Sequence, residues 1–312
     1  MNGTIEIVSI ESIRNPNAPT PHVFVVMPTS HRRRWCLPRA IKCWQAQRYK
    51  NMTLLVVEGG HGVVPGESIK DLVPPNDPRI QYAFAPPMTL GAKFNWGIAQ
   101  APADSYIMIA GDDDWVSPEL VEYLVDAMNE APAESPVDIA GTLSMLSYRQ
   151  RDASTWIYAT RFPIEAVGGP DDDTYNLSEN YLIGGTMIFH KRHWEDVKFP
   201  DMQAASDSYF VHELLSSKTV ARPFLPLNEP ALYCSFVHGE NTGNILDQLD
   251  QGVTWARLGA VDAENLPRMH GVMRDALDLV AQDLVVRDLV GEPFEAYLRS
   301  IMGAETALEF GL

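Results

Sequence analysis

The 312-residue sequence lacks the long apolar runs, leader segment and cysteine pairs that mark membrane or secreted proteins. No run reaches the roughly eighteen apolar residues of a membrane-spanning helix. Residues 1–20 contain no basic segment followed by an apolar core, so we expect no signal peptide. Three cysteines, Cys36, Cys43 and Cys234, are too few for a disulfide framework. These absences predict a cytoplasmic protein with free thiols.

An excess of positive charge is also missing, because the net charge is −17. Such acidity argues against a protein whose affinity depends on broad contact with a nucleic-acid backbone. Basic residues are nevertheless concentrated at residues 31–34, which read His-Arg-Arg-Arg, and Arg39, Lys42 and Arg48 follow. A local basic patch is therefore compatible with this acidic chain.

The first half of the chain alternates between apolar runs and helical patterns. The apolar runs predict buried strands at 22–27, 53–57, 80–84 and 106–111. Cap residues, prolines and apolar stripes predict helices from Pro38, over 89–100 and from Ser117. This order predicts an α/β fold with a mostly parallel central sheet and helices on both faces.

The second half has a different pattern. Residues 139–148 and 155–160 predict antiparallel strands, and 206–217 predict a helix. Further strands are expected at 181–190 and 231–237. From about residue 245 the pattern becomes helical, with an apolar face formed by Met273, Leu277, Val280 and Leu284. We therefore expect a small antiparallel part followed by a helical C-terminal appendage.

Asp112, Asp113 and Asp114 follow directly after the predicted buried strand at 106–111. Adjacent carboxylates repel one another, and hard divalent cations with a preference for oxygen ligands relieve that repulsion. Open α/β sheets bind ligands at the carboxyl ends of their strands. Position and chemistry together predict a metal-assisted site at this point of the chain.

Other short segments accompany the aspartates in a distinctive order: 25–29, 55–60, 91–95, 111–115, 184–186, 206–207 and His238. Their order and spacing resemble those of a family 2 glycosyltransferase with a GT-A fold, over roughly residues 21–245. Three positions depart from the usual family pattern. Glu58 stands in place of Asp, Lys93 in place of Arg, and Ser206 in place of Glu.

The resemblance implies a domain organisation. An N-terminal extension would occupy residues 1–20, and a GT-A catalytic domain would occupy 21–245. Within that domain, 21–130 would form the nucleotide-binding half and 131–245 the acceptor-binding half. The helical appendage would then occupy 246–312.

The resemblance also implies a metal-dependent donor site. A nucleotide-diphosphate sugar, most simply a UDP-sugar, would bind with Mn²⁺ or Mg²⁺, which stabilises charge on the departing diphosphate. Asp114 would be the direct metal ligand, Asp112 a second contact, and His238 a further ligand or a diphosphate contact. Asp112 and Asp113 would also contact the ribose or the waters of the ion.

The remaining roles implied by the resemblance divide between donor and acceptor. Around the donor, base, ribose and phosphate contacts would come from Pro28, Thr29, Glu58, Lys93 and Asn95. The arginine cluster Arg32 to Arg34 follows the donor-pocket loop, so a phosphate or acceptor role, with Arg32 as the named donor contact, competes with a solvated helix start. Gly184, Gly185 and Thr186 would form the acceptor side. Asp207 would be the general base that takes the proton from the acceptor hydroxyl. That role implies inversion at the anomeric carbon.

Simpler interpretations compete with several of these roles. Residues 171–173 are also three aspartates, but they follow glycine and proline instead of an apolar strand, and a solvated turn is the simpler interpretation. His190 and His193 have a spacing that suggests zinc, but no cysteine or histidine with ligand spacing accompanies them. A strand end and a helix start explain that pair better.

Two other functions compete with glycosyl transfer. A nucleotidyltransferase of similar fold would need a glycine-rich phosphate loop after the first strand, and residues 28–31 lack those glycines. A non-catalytic nucleotide-sugar-binding protein would not need both the aspartate triplet and Asp207. The acceptor stays open among saccharides, lipid-linked sugars, proteins, metabolites and modified DNA bases. Nucleic acid enters only in that last form, and the lack of a membrane span disfavours lipid-linked acceptors.

Overall fold

The computed structural model describes residues 20–59, 68–130, 137, 139–142, 144–149, 154–159, 182–204, 206–216, 224–227, 232–238 and 255–257. The acidic turn at 171–173 and the apolar stripe from Met273 to Leu284 lie outside these residues. Within them, no helix is long and apolar enough to cross a bilayer.

The described strands form two sheets. Their bounds are β1 Val23–Thr29, β2 Met52–Glu58, β3 Ile80–Phe84, β4 Tyr106–Ile109, β5 Trp115–Val116, β6 Ile139–Thr142, β7 Ser144–Arg149, β8 Ser154–Ala159, β9 Ile188–His190, β10 Phe224–Leu227, β11 Tyr233–Val237 and β12 Trp255–Arg257. The larger sheet has the order β10-β6-β9-β4-β1-β2-β3, and the smaller has the order β12-β8-β7-β11-β5. Except at β9, neighbouring strands of the larger sheet are parallel, which confirms the expected fold class.

Helices cover both faces of the larger sheet. Their bounds are α1 Leu37–Gln45, α2 Leu90–Ile98, α3 Leu120–Glu130, α4 Lys191–Asp196 and α5 Ser206–Ser216. Apolar side chains of α1 and α3 pack in one core cluster, and those of α2, α4 and α5 pack in the other.

Strand β1 shows why the strands of the larger sheet are continuous apolar runs in the sequence. All seven of its residues are buried. Val23, Val25 and Met27 belong to the cluster of α1 and α3, whereas Phe24 and Val26 belong to the cluster of α2 and α5. Because successive side chains of a strand point to opposite faces, a strand covered on both sides needs apolar residues throughout.

The second half departs from the sequence prediction in three places. Residues 139–148, expected as one strand, form β6 in one sheet and β7 in the other. In the expected strand at 181–190, of which 182–190 are described, only β9 is a strand, because Gly184–Thr186 forms a 3₁₀ turn. Residues 255–257, expected in the helical appendage, form β12 because they pair with the edge of β8. The domain bounds themselves stay predictions.

The smaller sheet is connected to the aspartate triplet through β5. Trp115 and Val116 directly follow the triplet and pair antiparallel with Cys234 and Tyr233 of β11. This short pairing places residues 233–238 beside residues 112–114, although more than a hundred residues separate them in sequence.

Candidate donor and acceptor cleft

A cleft of about 1010 Å³ opens at the carboxyl edge of the larger sheet. Parallel strands β1, β2 and β4 end together there, with Thr29 paired to Glu58 and Val26 paired to Ile109. The position agrees with the rule that open α/β sheets bind ligands beyond the carboxyl ends of their strands. Nine residues predicted for the site line this cleft: Pro28, Thr29, Arg32, Lys93, Asp112, Asp113, Asp114, Gly185 and Asp207.

Asp114 is held by the smaller sheet. The Tyr233 hydroxyl donates a hydrogen bond to Oδ2 of Asp114, and the Phe236 amide donates to Oδ1 at 3.0 Å. Gly185 makes room for this arrangement, because a Cβ there would lie 2.4 Å from the Tyr233 ring. Both Asp114 oxygens therefore have a donor that orients the carboxylate, and each keeps a further lone pair.

Asp112 and Asp113 share an arginine. One terminal nitrogen of Arg33 lies 3.0 Å from Oδ2 of Asp113, and its Nε lies 3.8 Å from Oδ1 of Asp112. His238, which was expected as a metal ligand or diphosphate contact, lies with Nε2 2.9 Å from the same Asp113 oxygen. The Arg33 nitrogen and Nε2 of His238 are also 3.0 Å apart.

Negative charge at the triplet is only partly compensated. Burial, and after it the neighbouring Asp113 carboxylate, raise the pKa of Asp112 and of Asp114 well above the usual range of an aspartic acid. The Arg33 guanidinium acts in the opposite direction and lowers the pKa of Asp112. The site therefore favours additional positive charge.

A divalent cation fits this site by its chemistry. Asp112, Asp113 and Asp114 supply the carboxylate oxygens that Mn²⁺ and Mg²⁺ prefer, and His238 supplies an imidazole nitrogen. No three Asp, Glu, His or Cys side chains of the described residues are already arranged as a ligand set. Because Arg33 lies against two of the carboxylates, a cation there would have to replace its guanidinium.

Asp207 lies in the first turn of α5 and lines the cleft. Gly184 packs against it, because a Cβ at position 184 would lie 2.2 Å from Oδ2 of Asp207. Burial raises the pKa of the Asp207 carboxyl. A carboxylate with a raised pKa is a stronger proton acceptor, which is the property that a general base needs.

Lys93 connects the ends of two strands at the floor of the cleft. Its Nζ donates to the Thr29 carbonyl at 3.1 Å and to the Gly59 carbonyl at 2.5 Å. Burial lowers the pKa of this ammonium. The ribose or phosphate role expected for Lys93 stays a prediction, and in this structure its hydrogen bonds go to the backbone of the cleft.

Glu58 was expected to contact the donor base, but its side chain is fully buried and does not line the cleft. It accepts hydrogen bonds from the Tyr82 hydroxyl at 2.6 Å, the Ser68 hydroxyl at 2.7 Å and the Ile69 amide at 3.2 Å. The methylene that distinguishes Glu from the usual Asp lets the carboxylate reach residues 68–69. Glu58 therefore anchors the chain that follows β2.

Asn95 and Thr186 also point away from the cleft. The Asn95 side chain bonds the backbone of Phe199 and the Trp194 indole. Residues two apart on a helix differ by about 200° in direction, so Asn95 cannot share the cleft-facing side of Lys93. The buried Thr186 hydroxyl bonds Thr142 and Ile183. Of the expected acceptor-side residues, Gly185 alone lines the cleft, and Gly184 acts through its contact with Asp207.

Tyr233 was not among the residues predicted for the site, and Arg33 was a candidate only as a member of the arginine cluster. Arg33 belongs to the basic cluster at 31–34, but a pattern of adjacent arginines cannot show which one faces the aspartates. The 3₁₀ turn His31–Arg33 decides that orientation. Tyr233 and Ser235 both line the cleft, and the two-residue alternation of the predicted strand 231–237 was the signal that could have indicated them.

The chain belongs to glycosyl transferase family 2, whose model matches residues 24–183, just over half of the sequence. Membership of this family agrees with the resemblance, and the two-sided, mostly parallel sheet agrees with the expected fold class. The match includes the aspartate triplet and ends before Asp207, Tyr233 and His238. A comparison with curated protein sequences finds no match.

Solved structures with a similar fold include S. aureus TarS 1–349, at 15% identity and a TM-score of 0.49, over 69% of this chain and 60% of that one. The same fragment in complex with UDP-GlcNAc gives 13% and 0.48, over 71% and 60%. PcManGT, a mannosyltransferase from Pyrobaculum calidifontis in complex with GDP-Man and Mn²⁺, gives 16% and 0.47, over 92% and 81%. The chain thus spans less than two thirds of the TarS fragment.

Proposed function

We propose that this glycosyltransferase is a metal-dependent, inverting enzyme that transfers a sugar from a nucleotide-diphosphate donor, most simply a UDP-sugar, to a hydroxyl acceptor. One observation carries the proposal. The aspartate triplet at the end of β4 and the Asp207 carboxylate at the start of α5 line the same cleft. Sugar transfer from such a donor to a hydroxyl needs a group that binds the leaving diphosphate and a base that activates the acceptor.

The donor would bind on the side of β1 and the triplet. Pro28 and Thr29 offer a surface for the base at the end of β1, and Arg32 lines the adjoining wall. Asp112, Asp113 and Asp114 would hold Mn²⁺ or Mg²⁺ with the diphosphate, with His238 behind them at 2.9 Å from Asp113. Bound there, the ion would stabilise charge on the departing nucleoside diphosphate.

The acceptor would bind on the side of α5. Asp207 would remove the proton from its hydroxyl while the oxygen attacks the anomeric carbon from the face opposite the diphosphate. Attack from that face inverts the configuration. Gly185 lines the cleft on this side, and Gly184 packs against the Asp207 carboxylate itself. Saccharides, metabolites, proteins and modified DNA bases all present suitable hydroxyls.

The experiment is a thermal-shift screen of UDP, GDP and their common sugars with and without Mn²⁺. We expect at least one nucleotide to raise the melting temperature, and more so with Mn²⁺. Asp114→Ala should abolish the metal-dependent part of the shift. Asp207→Asn should keep the shift but lose sugar transfer and donor hydrolysis.

Exposed Asp196→Asn, at the end of α4, controls for the removal of one negative charge and should behave like wild type. If no nucleotide shifts the wild-type transition in either condition, the donor site is assigned wrongly. If Asp207→Asn retains full turnover, another group is the base.

A further inference from the structure

Arg33 contacts two of the three aspartates of the triplet. Its guanidinium lies against Asp112 and Asp113 and touches Nε2 of His238. The side chain is 13% exposed, and the two aspartate side chains are 9% and 11% exposed. The contact with Asp113, at 3.0 Å, is a charge-assisted hydrogen bond, which is stronger than one between neutral groups, and Asp112 lies within ion-pair distance at 3.8 Å.

This position is the one that a divalent cation would need. A metal held by Asp112 and Asp113 and the guanidinium of Arg33 would compete for the same oxygen atoms. Two positive groups cannot share that space without strong repulsion. The metal can therefore enter only if Arg33 moves.

The direction of that movement follows from charge. A nucleoside diphosphate that arrives with the metal brings phosphate oxygens into the same cleft, and Arg33 lines that cleft. Guanidinium groups bind phosphate through two parallel hydrogen bonds, which makes the diphosphate the natural new partner. Arg33 belongs to a short turn at the cleft edge, so its long side chain can change partner without a movement of the sheet.

We propose that Arg33 is a diphosphate-binding residue that neutralises Asp112 and Asp113 in the donor-free enzyme and exchanges onto the donor when a divalent cation takes the carboxylates. This inference rests on the proposed metal-dependent donor site. It assigns to Arg33 in particular the phosphate role that the sequence left open among Arg32, Arg33 and Arg34. It also predicts that the metal and the donor bind cooperatively. The cation displaces the Arg33 guanidinium from the carboxylates, and the diphosphate neutralises the guanidinium in its new position.

The first test measures Mn²⁺ alone by isothermal titration calorimetry. Arg33→Gln removes the competing cation, so Mn²⁺ should bind about tenfold more tightly than to wild type, the size expected for loss of a charge-assisted contact. Arg34→Gln is the matched control. It removes the same charge from the neighbouring residue, whose ion pair is with Asp71 on the surface, and its Mn²⁺ affinity should equal that of wild type.

The second test measures UDP and GDP at saturating Mn²⁺. For whichever nucleotide wild type binds, Arg33→Gln should weaken binding by about tenfold, since one charged phosphate contact is lost. Arg33→Lys keeps the positive charge but loses the planar guanidinium. Its Mn²⁺ affinity should stay near that of wild type, and its nucleotide affinity should lie between those of wild type and Arg33→Gln. Circular dichroism and melting temperature verify that each variant is folded.

Each outcome separates the inference from the proposed function. If wild type and Arg33→Gln bind Mn²⁺ with the same affinity, the exchange of Arg33 is wrong, whereas the proposed metal site is unaffected. Tighter Mn²⁺ binding with unchanged nucleotide affinity shows that Arg33 competes with the metal but does not bind diphosphate, which also overturns the proposal. If neither protein binds Mn²⁺ with or without nucleotide, both the exchange and the metal dependence are wrong.

Discussion

The Asp207 carboxylate packs against the α-carbon of Gly184, so closely that a Cβ on Gly184 would lie 2.2 Å from Oδ2 of Asp207. Two non-bonded heavy atoms cannot approach that closely, so with a Cβ at position 184 the Asp207 carboxylate would have to turn away. The glycine at position 184 thus fixes the place of the proposed base. A side chain there would disturb the acceptor side of the cleft without touching the donor side.

Gly184→Ala should therefore lower turnover and spare donor binding. We expect kcat to fall by at least about tenfold, because displacement of a general base by even one ångström is costly. The nucleotide-induced thermal shift should stay within error of wild type. Gly141→Ala is the control, since a Cβ there meets its nearest neighbour at 3.3 Å and needs only a small adjustment. Equal losses of nucleotide binding and turnover in Gly184→Ala would show a general structural defect instead.

Asp207 should make the protein less stable as pH rises. Its folded-state pKa is raised by burial, so the folded state holds a proton that the unfolded state releases above about pH 4. Stability contributed by that proton is present at low pH and is lost as pH rises through the folded pKa. Asp207→Asn, which cannot ionise, should melt at the same temperature as wild type near pH 4 and at a progressively higher temperature as pH rises through the folded pKa of Asp207.

The comparison needs a matched substitution at an exposed carboxylate, and Asp196 at the end of α4 provides one. Asp196→Asn removes one exposed charge, and its melting temperature relative to wild type should not change in this manner with pH. A constant difference between Asp207→Asn and wild type from pH 4 to 8 would contradict a raised pKa at Asp207.

Tyr233 should control the affinity of the triplet for metal. Its hydroxyl orients Asp114, and loss of such an outer partner typically weakens metal binding by about tenfold to a hundredfold. Tyr233→Phe should therefore need correspondingly more Mn²⁺ for half-maximal stabilisation of the nucleotide complex, measured by thermal shift. Tyr49→Phe provides the control, because its hydroxyl bonds the Pro21 carbonyl away from the cleft. Unchanged Mn²⁺ dependence in Tyr233→Phe would show that Asp114 is not a ligand.

Glu58 should matter for stability more than for base recognition. Its buried carboxylate accepts from Ser68, Ile69 and Tyr82, and an amide cannot replace all of these contacts. Glu58→Gln should lower the free energy of unfolding by about 1–3 kcal/mol in urea titrations. Exposed Glu213→Gln on α5 should change it little. A Glu58→Gln variant with normal stability but an altered preference between UDP and GDP would instead support the base contact that the resemblance implied.

The core of the fold was predictable because its signals are local. Residues 106–109 form a strand and 112–114 follow it, as the apolar run and the acidic triplet indicated. Strands at 23–29, 52–58 and 80–84 and helices at 37–45 and 90–98 follow one another in the expected order. The sequence did not predict the break at Gly184–Thr186, where side-chain hydrogen bonds of Thr186 replace strand pairing. Nor did it predict β12, whose pairing with β8 depends on a distant partner.

The sequence by itself determined the sheet, the family and the position of the acidic triplet, because strand burial and strand-end chemistry are encoded in short contiguous segments. Tertiary structure alone decided which polar residues meet. It turned Glu58 and Asn95 towards structural partners, brought Tyr233 to Asp114, and chose Arg33 over Arg32 as the partner of the triplet. Those choices depend on the direction of individual side chains and on contacts across more than a hundred residues, which no local pattern encodes.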